Sequence, residues 1–422
     1  MLDRDLIRRN PDLVRAGAAR KHLDAPVDAF LKVDAEWRAE RSELEAKQAQ
    51  LNAASRSIGA LMSQRKVEEA NAAKAAAKAL SESISGHAER ARSLEAELAD
   101  IELAFPNLPH ESVPDGPDES ANVTVRTWGD PPAQEKQPPP HWEIAERLGL
   151  FDLPRGAKIA GSGFPIYVGR GAKLQRALAA FMLDIQVEQN GYTELYPPFI
   201  ANRASLVGTG NLPKFEEELY KVDTDLYLIP TAEVPITNFH RDEILEGVDL
   251  PIRYAGLSAC FRREAGAAGK DTRGIQRVHQ FDKIEMVWFT TPERSYEDLE
   301  VLTAHAESVL QALGMHYRVI EICAGDLGAK GAKQYDIEVW SPGTTKFLEI
   351  SSCSNFEAYQ ARRANIRYRP EPGARPEFVH ILNGSGLALP RLYAALLETF
   401  LEPDGRVRVP QALQPYMKSE FV

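Results

Sequence analysis

Cysteine is scarce in this sequence: Cys260, Cys323 and Cys353 are the only three among 422 residues. Their wide spacing offers neither a disulfide framework nor a zinc-ligand pattern, and it suits a reducing compartment. Long apolar runs are also missing, since no stretch approaches the roughly 20 residues that a membrane span needs. The charged start, MLDRDLIRRNPDLVRAG, lacks the apolar core of a signal peptide. We therefore expect a cytoplasmic protein without zinc and without a membrane segment.

Familiar nucleotide-binding and nucleophile motifs are absent as well. The sequence contains neither a Gly-x-x-x-x-Gly-Lys-Ser/Thr phosphate loop nor a Rossmann glycine fingerprint, and no Ser-His-Asp or Cys-His signature is evident. The 61 acidic residues outnumber the 50 basic ones, and the formal net charge of -11 argues against wholesale coating by nucleic acid. If a nucleotide binds, arginines on strands or at a helix start would have to hold it. If RNA binds, it would have to contact a local basic patch.

A heptad repeat occupies the chain near its beginning. Apolar residues recur at every seventh position over residues 30–58 and again over residues 73–101, which is typical of two helices packed together. The expected reversal lies at residues 59–66. Residues 28–105 are therefore predicted to form an antiparallel helical hairpin, a coiled-coil arm whose two helices are each roughly 50 Å long.

Charge is uneven along this arm. Residues 55–79 hold five basic residues against two acidic ones, whereas the whole arm holds 11 against 14. A solvated coiled coil would also scatter such charges; the alternative is that the distal half meets a phosphate backbone. The five candidate RNA contacts are Arg56, Arg65, Lys66, Lys74 and Lys78.

The remainder of the chain reads as a separate body. Pro-rich stretches at residues 106–140 mark a linker between the N-terminal domain, residues 1–105, and a domain over residues 141–422. Strand patterns that follow one another with short connections favour an antiparallel sheet. The predicted fold class is α+β: an antiparallel sheet flanked by helices, together with the helical arm.

Arginines and glutamates concentrate in ACFRREAGAAGKDTRGIQRVHQFDKIEM, residues 259–286, around a glycine-rich turn that also holds Lys270 and Asp271. Strand alternation predicts that Arg262 and Glu264 share one face. On the second strand, one face should present Arg277, His279, Phe281, Lys283 and Glu285. Such a patch suits an anion that also carries an ammonium group, although an ordinary water-facing hairpin would show charges on one face too.

Three further segments carry polar candidates: TAE at 231–233, EISSCSN at 349–355 and LNGSGLALPRLYAALLE at 382–398. In the last of them, Pro390 suits the first turn of a helix, so Arg391 lies at a helix start. The acidic residues of these segments and of the hairpin could hold a magnesium ion, an adenine amino group or a substrate ammonium.

Together these segments resemble the class II aminoacyl-tRNA synthetases and, among them, the bacterial-type seryl-tRNA synthetases. GYTELYPPFI, with Pro198, resembles motif 1 and implies a dimer interface. Residues 259–286 are similar to motif 2, and LNGSGLALPRLYAALLE resembles motif 3 with Arg391 as its arginine. TAE and EISSCSN match stretches typical of the family, and the helical hairpin is similar to the family's tRNA-binding arm. Pro390, where glycine is common, and Arg263, where serine is common, depart from the family pattern.

The resemblance implies a homodimeric serine–tRNA ligase that uses ATP with Mg²⁺. It would activate L-serine as seryl-adenylate and transfer the seryl group to the 3′ end of tRNA(Ser); whether tRNA(Sec) is a second acceptor stays open. Carried over residue by residue, the catalytic group is Arg262, Glu285 and Arg391. The implied serine pocket consists of Thr231, Ala232, Glu233, Glu285, Asn383 and Ser385. The other implied ATP-binding residues are Arg263, Glu264, Val278, Glu349, Ile350, Ser351 and Ser352. Of these, Glu349 and Ser352 would ligate magnesium.

Two other functions compete with this one. A synthetase-like paralogue would activate serine or another small amino acid for a non-tRNA acceptor, but it would not need the arm. The second is a coiled-coil RNA-binding scaffold whose synthetase-like domain is catalytically inactive. Such a protein would be expected to have lost some of the candidate site residues, but all four of the main ones are present: Arg262, Glu285, Glu349 and Arg391.

Overall fold

The computed structural model describes residues 1–132, 136–264 and 273–422. The chain divides into two compact units by its internal contacts. One unit comprises Leu2–Ala18 and Asp24–Pro106, and the other comprises Met1, Ala19–Leu23 and Asn107–Val422.

The first unit is built on two long antiparallel helices, α3 (Val27–Ser63) and α4 (Val67–Ala104). The short helices α1 (Arg4–Arg9) and α2 (Pro11–Arg20) precede them. This arrangement confirms the predicted helical hairpin. The reversal is narrower than expected, because α3 continues through Gly59 and only three residues separate the two long helices.

The heptad positions form the seam between α3 and α4. At its base, the rings of Phe30 and Phe105 meet edge to face with centroids 5.9 Å apart, and Leu98 is fully buried. Farther out, His87 Nδ1 lies 2.7 Å from Glu40 Oε2. The histidine that interrupts the apolar seam is thus paired with a carboxylate of the facing helix.

An eight-stranded sheet forms the centre of the second unit. Its strands are β1 (Val123–Trp128), β4 (Thr193–Glu194), β9 (Ile252–Phe261), β10 (Gln280–Thr290), β11 (Tyr317–Glu321), β12 (Lys333–Ser341), β13 (Lys346–Asn355) and β16 (His380–Ala388). They lie in the order β1-β11-β12-β13-β16-β10-β9-β4. Every neighbouring pair is antiparallel except β4 with β9. The predicted α+β class with an antiparallel sheet is confirmed.

Helices pack on this sheet and between it and smaller sheets. They are α5 (His141–Leu148), α6 (Leu153–Ala160), α7 (Arg170–Asp184, continued by a π-helical turn at Ile185–Gln189), α8 (Arg203–Gly208), α9 (Glu233–Thr237), α10 (Ser295–Leu313), α11 (Tyr359–Ala364), α12 (Leu389–Thr399) and α13 (Gln414–Met417). The smaller sheets contain β2 (Phe151–Asp152), β3 (Ile166–Tyr167), β5 (Ile200–Asn202), β6 (Lys221–Asp223), β7 (Leu226–Leu228), β8 (Ile244–Glu246), β14 (Arg367–Arg369) and β15 (Glu377–Phe378).

The main core lies on one side of the sheet. Strand alternation directs Ile284, Met286 and Trp288 of β10 into it, and all three are fully buried among side chains of α7, α10 and α12. Lys283 and Glu285, which alternate with these core residues along β10, therefore point to the opposite side. None of the helices in the described part of the chain combines the length and apolar composition of a membrane span.

Two predicted strand boundaries are wrong. Strand β9 ends at Phe261, so Arg262 and Glu264 do not share a face by strand alternation, and Glu264 has a positive φ of 49°. The partner strand begins at Gln280, after His279. A single irregular link continues the pairing, because the backbone N–H of Arg262 donates to the carbonyl of His279 at 2.9 Å. Residues 265–272, which include Lys270 and Asp271, lie outside the described part of the chain.

Candidate functional site

A cavity of about 460 Å³ opens on the side of the sheet opposite the main core. Side chains of β10, β13 and β16 form its floor, and the start of α12 and residues 328–331 form parts of its wall. All but two of the active-site residues expected from the sequence line it. Those that do are Thr231, Glu233, Arg262, Glu264, Val278, Glu285, Glu349, Ile350, Ser351, Ser352, Asn383, Ser385 and Arg391.

A buried carboxylate, Glu285, lies on the cavity floor with 1% of its surface exposed. Its Oε2 accepts a hydrogen bond from Thr231 Oγ1 at 2.9 Å and pairs with Lys283 Nζ. Its Oε1 accepts from Asn383 Nδ2 at 2.9 Å. Burial raises the pKa of Glu285, and the positive charge of Lys283 opposes that shift. The group is a desolvated anion with fixed neighbours, which suits recognition of a small cationic or hydroxylic ligand.

The strands explain why these groups converge. Glu285 is paired with Ser385 across the β10–β16 ladder, and Asn383 lies two residues earlier on the same face. Between them, Gly384 turns toward the core, where a Cβ would lie 2.5 Å from Leu302 Cδ2 and 2.9 Å from Cys353 Sγ. Glycine at this position thus lets the two polar neighbours face the cavity without displacing the core.

A second acidic group, Glu233, begins helix α9 at the cavity wall. Its Oε1 lies 3.2 Å from Lys330 Nζ and accepts from Gln360 Nε2 at 2.6 Å. The Lys330 ammonium is also 5.5 Å from the ring centroid of Phe356. Two nearly buried carboxylates, Glu233 and Glu285, are therefore each paired with a lysine inside one cavity.

Two arginines supply fixed positive charge. Arg262 donates from Nε to the carbonyl of Pro230 at 3.3 Å, and its guanidinium lies 5.2 Å from the centroid of Phe281. Arg391, in the first turn of α12, donates to the carbonyls of Glu349 (2.7 Å) and Gln276 (3.3 Å). Arg391 Nη1 also lies 3.8 Å from Glu349 Oε1. Both guanidinium groups have further donors that no described residue occupies, and the positive end of the α12 dipole adds to the attraction of an anion.

Three residues that the sequence placed at the site lie elsewhere. Ala232 is fully buried in a second apolar core. Arg263 lines a separate depression with Tyr220. His279, expected to face the site, instead stacks on Phe164 with ring centroids 5.3 Å apart. Its Nδ1 lies 2.9 Å from the carbonyl of Arg262, so it supports the backbone of that arginine.

Sequence reasoning missed the contribution of Lys330 and Gln360 and left Lys283 as a supporting residue. Lys283 had a usable signal, because it lies two positions before Glu285 on a strand and therefore on the same face. Lys330 had none, since it belongs to an irregular connection between strands whose position depends on contacts made far away in sequence. The same holds for Gln360, which is on the short helix α11.

Comparison with known proteins supports the family that the sequence motifs resemble. The family model "Seryl-tRNA synthetase N-terminal domain" matches residues 1–109, and "tRNA synthetase class II core domain (G, H, P, S and T)" matches residues 214–400. The serine--tRNA ligase of Thermomicrobium roseum is 52% identical over 418 residues, covering 99% of this chain and 93% of its own. That of Caldanaerobacter subterraneus subsp. tengcongensis is 51% identical over 423 residues, covering 100% and 99%.

Among solved structures, the seryl-tRNA synthetase of Pyrococcus horikoshii complexed with ATP superimposes with a TM-score of 0.93. It is 39% identical, and the match covers 100% of this chain and 99% of that one. Fold and cavity thus define a class II aminoacyl-tRNA synthetase core. Within that class, the chain belongs to the seryl-tRNA synthetase family. Membership makes it an enzyme, and its activity is the ATP-dependent ligation of serine to tRNA.

Proposed function

We propose that the described cavity makes seryl-adenylate from L-serine and ATP, and that the chain transfers the seryl group to the 3′ end of tRNA(Ser). The observation that carries this proposal is the combination of groups in one cavity. A buried carboxylate with fixed hydroxyl and amide neighbours lies beside two arginines whose remaining donors are not taken up by any residue that the structure describes. Serine needs the first set of groups, and a triphosphate needs the second.

Serine would bind among the acidic groups. Glu285 and Glu233 would receive its ammonium group, and Thr231, Asn383 and Ser385 would surround its hydroxymethyl group, with Ala232 behind them. A site that hydrogen-bonds a substrate hydroxyl rejects the analogue without it, because its own buried partners are then left unsatisfied. Alanine should therefore be rejected strongly.

ATP would bind along the arginines. Arg262 would contact the α-phosphate, Arg391 the γ-phosphate side, and Glu264 and Val278 the adenine. The remaining residues assigned to ATP are Arg263, which would have to act from its neighbouring depression, and Glu349, Ile350, Ser351 and Ser352.

The chemical step needs charge stabilisation more than proton transfer. A serine carboxylate oxygen attacks the α-phosphorus, the bond to the bridging oxygen of pyrophosphate breaks, and negative charge is redistributed over the phosphoryl oxygens. Placed cations lower that barrier electrostatically. Arg262 supplies such a cation, and its contact with the Pro230 carbonyl fixes it before the substrates arrive.

Magnesium fits this site as a partner of the nucleotide. Glu349 is an exposed carboxylate on β13, and Ser352 Oγ lies 3.3 Å from its Oε1, so two hard oxygen donors are adjacent. Mg²⁺ usually takes one or two protein oxygens and completes its shell with phosphates and water. Glu349 and Ser352 would hold the ion, which would neutralise phosphate charge when bound. Within the described ranges, no group of three or more His, Cys, Asp or Glu side chains is placed to hold a metal alone.

The two ends of the chain would divide the work. We assign tRNA binding to residues 1–105, a linker to residues 106–140 and catalysis to residues 141–422. In support, the five basic residues of the distal arm are all exposed: Arg56, Arg65, Lys66, Lys74 and Lys78. The free thiols of three buried cysteines suit a cytoplasmic location.

A homodimer would form along the sheet edge at β4. Close to that edge, Tyr196 is 79% exposed and Phe239 is 55% exposed. Phe239 packs against Tyr254, which pairs with Thr193 of the edge strand. Light scattering of the double variant Tyr196→Asp/Phe239→Asp tests this. The variant should have the mass of one chain where the unchanged protein has that of two, and unchanged mass would exclude this edge.

Pyrophosphate exchange tests the central proposal. With each amino acid in turn, only serine should support rapid exchange. Glu285→Ala should abolish that exchange but still bind ATP in calorimetry, because the arginines are untouched. Glu371→Ala, which changes an exposed loop glutamate, is the matched control. Near-normal serine exchange by Glu285→Ala would refute the role given to this carboxylate. Charging of tRNA(Ser) and tRNA(Sec) transcripts identifies the acceptors.

A further inference from the structure

The backbone of residues 328–332 is held by a buried lysine from far away in sequence. Lys21 Nζ donates to the carbonyl of Gly328 at 3.0 Å and also to that of Gly331. The side chain is only 2% exposed. Its amino group thus binds two carbonyls of one short connection between β11 and β12.

The other carbonyls of that connection are taken by the segment that begins at Asn107. The Asn107 backbone N–H donates to Ala329 O at 2.8 Å, and its Nδ2 donates to Lys330 O and to Phe356 O, both at 2.9 Å. The last carbonyl of residues 328–332 accepts from the backbone N–H of His110 at 2.9 Å. Five consecutive carbonyls are therefore satisfied by two short segments of the chain.

The opposite side of this connection forms part of the cavity. Residues 328–331 line it, whereas neither Lys21 nor Asn107 does. Lys330 Nζ reaches Glu233 Oε1 at 3.2 Å and lies over the ring of Phe356. Asn107 Nδ2 thus donates to the backbone carbonyls of Lys330 and Phe356, and the side chains of these same two residues contact each other inside the cavity.

The hydrogen bonds from Lys21, Asn107 and His110 constrain the backbone of residues 328–332, which form this part of the cavity wall. Apart from the backbone N–H of Ala332, which donates to the carbonyl of Asn355 at 2.8 Å, the connection lies outside the strand ladder, and Gly328 and Gly331 leave its backbone many conformations. Buried carbonyls must be satisfied, so the donors select the one conformation that brings Lys330 to Glu233. A shift of 1 Å in such a supporting shell is enough to weaken a binding site.

We propose that Lys21 and Asn107 are positioning residues for serine, which hold the wall of residues 328–332 so that Lys330 and Glu233 keep their place. The inference rests on the proposed serine pocket, to which Glu233 belongs. It assigns a role in substrate affinity to two residues that touch no substrate.

The test is steady-state pyrophosphate exchange with the full-length chain. Lys21→Met keeps the length of the side chain but removes both donors, and it should raise KM for serine about tenfold. KM for ATP should stay within about twofold, since the arginines do not depend on this wall. Lys21→Arg, which keeps a donor group, should recover most of the serine affinity. A merely structural defect would raise both KM values or lower kcat.

Asn107→Ser provides a second, smaller change that removes the bridge between Lys330 and Phe356, and it should also raise KM for serine selectively. Arg20→Met is the matched control, because Arg20 lies next to Lys21 and donates to a backbone carbonyl, that of Val113, outside the cavity wall. Hydrogen exchange of the peptide spanning residues 324–335 should become faster in Lys21→Met and Asn107→Ser and stay unchanged in Arg20→Met.

Lys330→Met and Glu233→Gln separate the two ways in which the inference can fail. If these two variants leave KM for serine unchanged, the proposed pocket is wrong. If they raise it while folded Lys21→Met and Asn107→Ser do not, the pocket stands and the positioning role is overturned. Unchanged hydrogen exchange in residues 324–335 of both positioning variants would also overturn it.

Discussion

At the scale of single residues, the chemistry of the cavity depends on charges that the protein has removed from water. Glu285 illustrates this, because burial raises its pKa while Lys283, Thr231 and Asn383 stabilise the ionised form. A raised pKa means that protonation begins at a higher pH than for an ordinary glutamate. The carboxylate proposed to bind serine is therefore present above that pKa and is lost as the pH falls through it.

This gives a pH-dependent prediction for serine affinity. KM for serine should rise as the pH is lowered through the raised pKa of Glu285, whereas KM for ATP should not follow the same curve. Glu285→Gln should show weak serine affinity that does not change with pH over this range. Exchange kinetics from pH 5 to 8 provide the measurement. An acidic limb that persists in Glu285→Gln would assign the titration to another group.

The pKa of Lys21 is shifted in the opposite direction, to a lower value. Burial lowers its pKa to about 7, with the nearby charge of Lys214 acting in the same direction and that of Glu357 opposing it. Above pH 7 the folded protein holds a neutral amine, whose two N–H groups match the two carbonyls it contacts, whereas the unfolded chain still binds the proton. Stability should therefore rise with pH from about 7 toward 10, by at most about 1.4 kcal/mol per pH unit.

Thermal unfolding at pH 7, 8 and 9 checks this. The unchanged protein should gain unfolding temperature relative to Lys21→Met as the pH increases. Arg20→Met should follow the unchanged protein. A constant difference between the unchanged protein and Lys21→Met across these pH values would show that Lys21 remains charged in the folded state.

At the scale of elements, a buried network holds the segment that follows residues 265–272. Glu398 of α12 accepts from the backbone N–H of His141 at 2.9 Å, and its Oε1 lies 3.1 Å from His141 Nδ1. The other ring nitrogen, Nε2, accepts from the backbone N–H of Ile275 at 3.3 Å. Two residues later along the chain, Arg277 and Val278 line the cavity. The first residue of α5 thus helps to place part of the cavity wall that is proposed to bind ATP.

His141→Asn should weaken ATP binding specifically. Asparagine can still donate to Glu398 from the Nδ1 position, but it leaves Ile275 without an acceptor, so KM for ATP should rise about threefold to tenfold. His141→Gln, which can place its oxygen near the Nε2 position, should have a smaller effect. Exchange kinetics with ATP and serine varied separately measure both. Equal effects on the two KM values would indicate general destabilisation.

The same elements show which parts of the structure a sequence can predict. The arm followed from periodicity alone, because the heptad is written in consecutive residues and places the apolar side chains on one face of each helix. The ends of β9 and β10 did not follow. Alternating charges look the same on a strand and just beyond it, and pairing with a distant partner decides where the ladder stops. Most of the site residues were recognisable from motif-like segments, but Lys21, Lys330 and Gln360 depend on contacts more than 90 residues apart in sequence.

At the scale of the whole molecule, the chain passes through the arm between Lys21 and Asn107, the two residues that hold the cavity wall. A change confined to the distal arm leaves both in place. Serine activation should therefore be independent of the distal arm, while tRNA charging should depend on it. Both statements can be tested with one variant.

The cut is set by the helical pairing. Glu40 meets His87 and Glu36 meets Arg90 across the seam. The same register brings Lys47 opposite Leu80, so deleting residues 48–79 removes the distal ends of both helices at one level of the seam. An uncharged three-residue turn would rejoin Lys47 to Leu80, as three residues join the helices in the full chain.

We expect this shortened chain to keep serine-dependent pyrophosphate exchange within about twofold of the full chain. It should lose at least about 100-fold in kcat/KM for charging tRNA(Ser), since five phosphate-binding candidates are removed.

A full-length variant separates the effect of charge from that of arm length. In it, five residues are changed to glutamine: Arg56, Arg65, Lys66, Lys74 and Lys78. As salt is raised from 50 to 200 mM, kcat/KM for charging by this variant should fall less steeply than that of the unchanged protein, because fewer counterions are released on binding. Full charging by the shortened chain would exclude the distal arm as the tRNA-binding surface, and loss of serine exchange would show that the arm also supports the cavity.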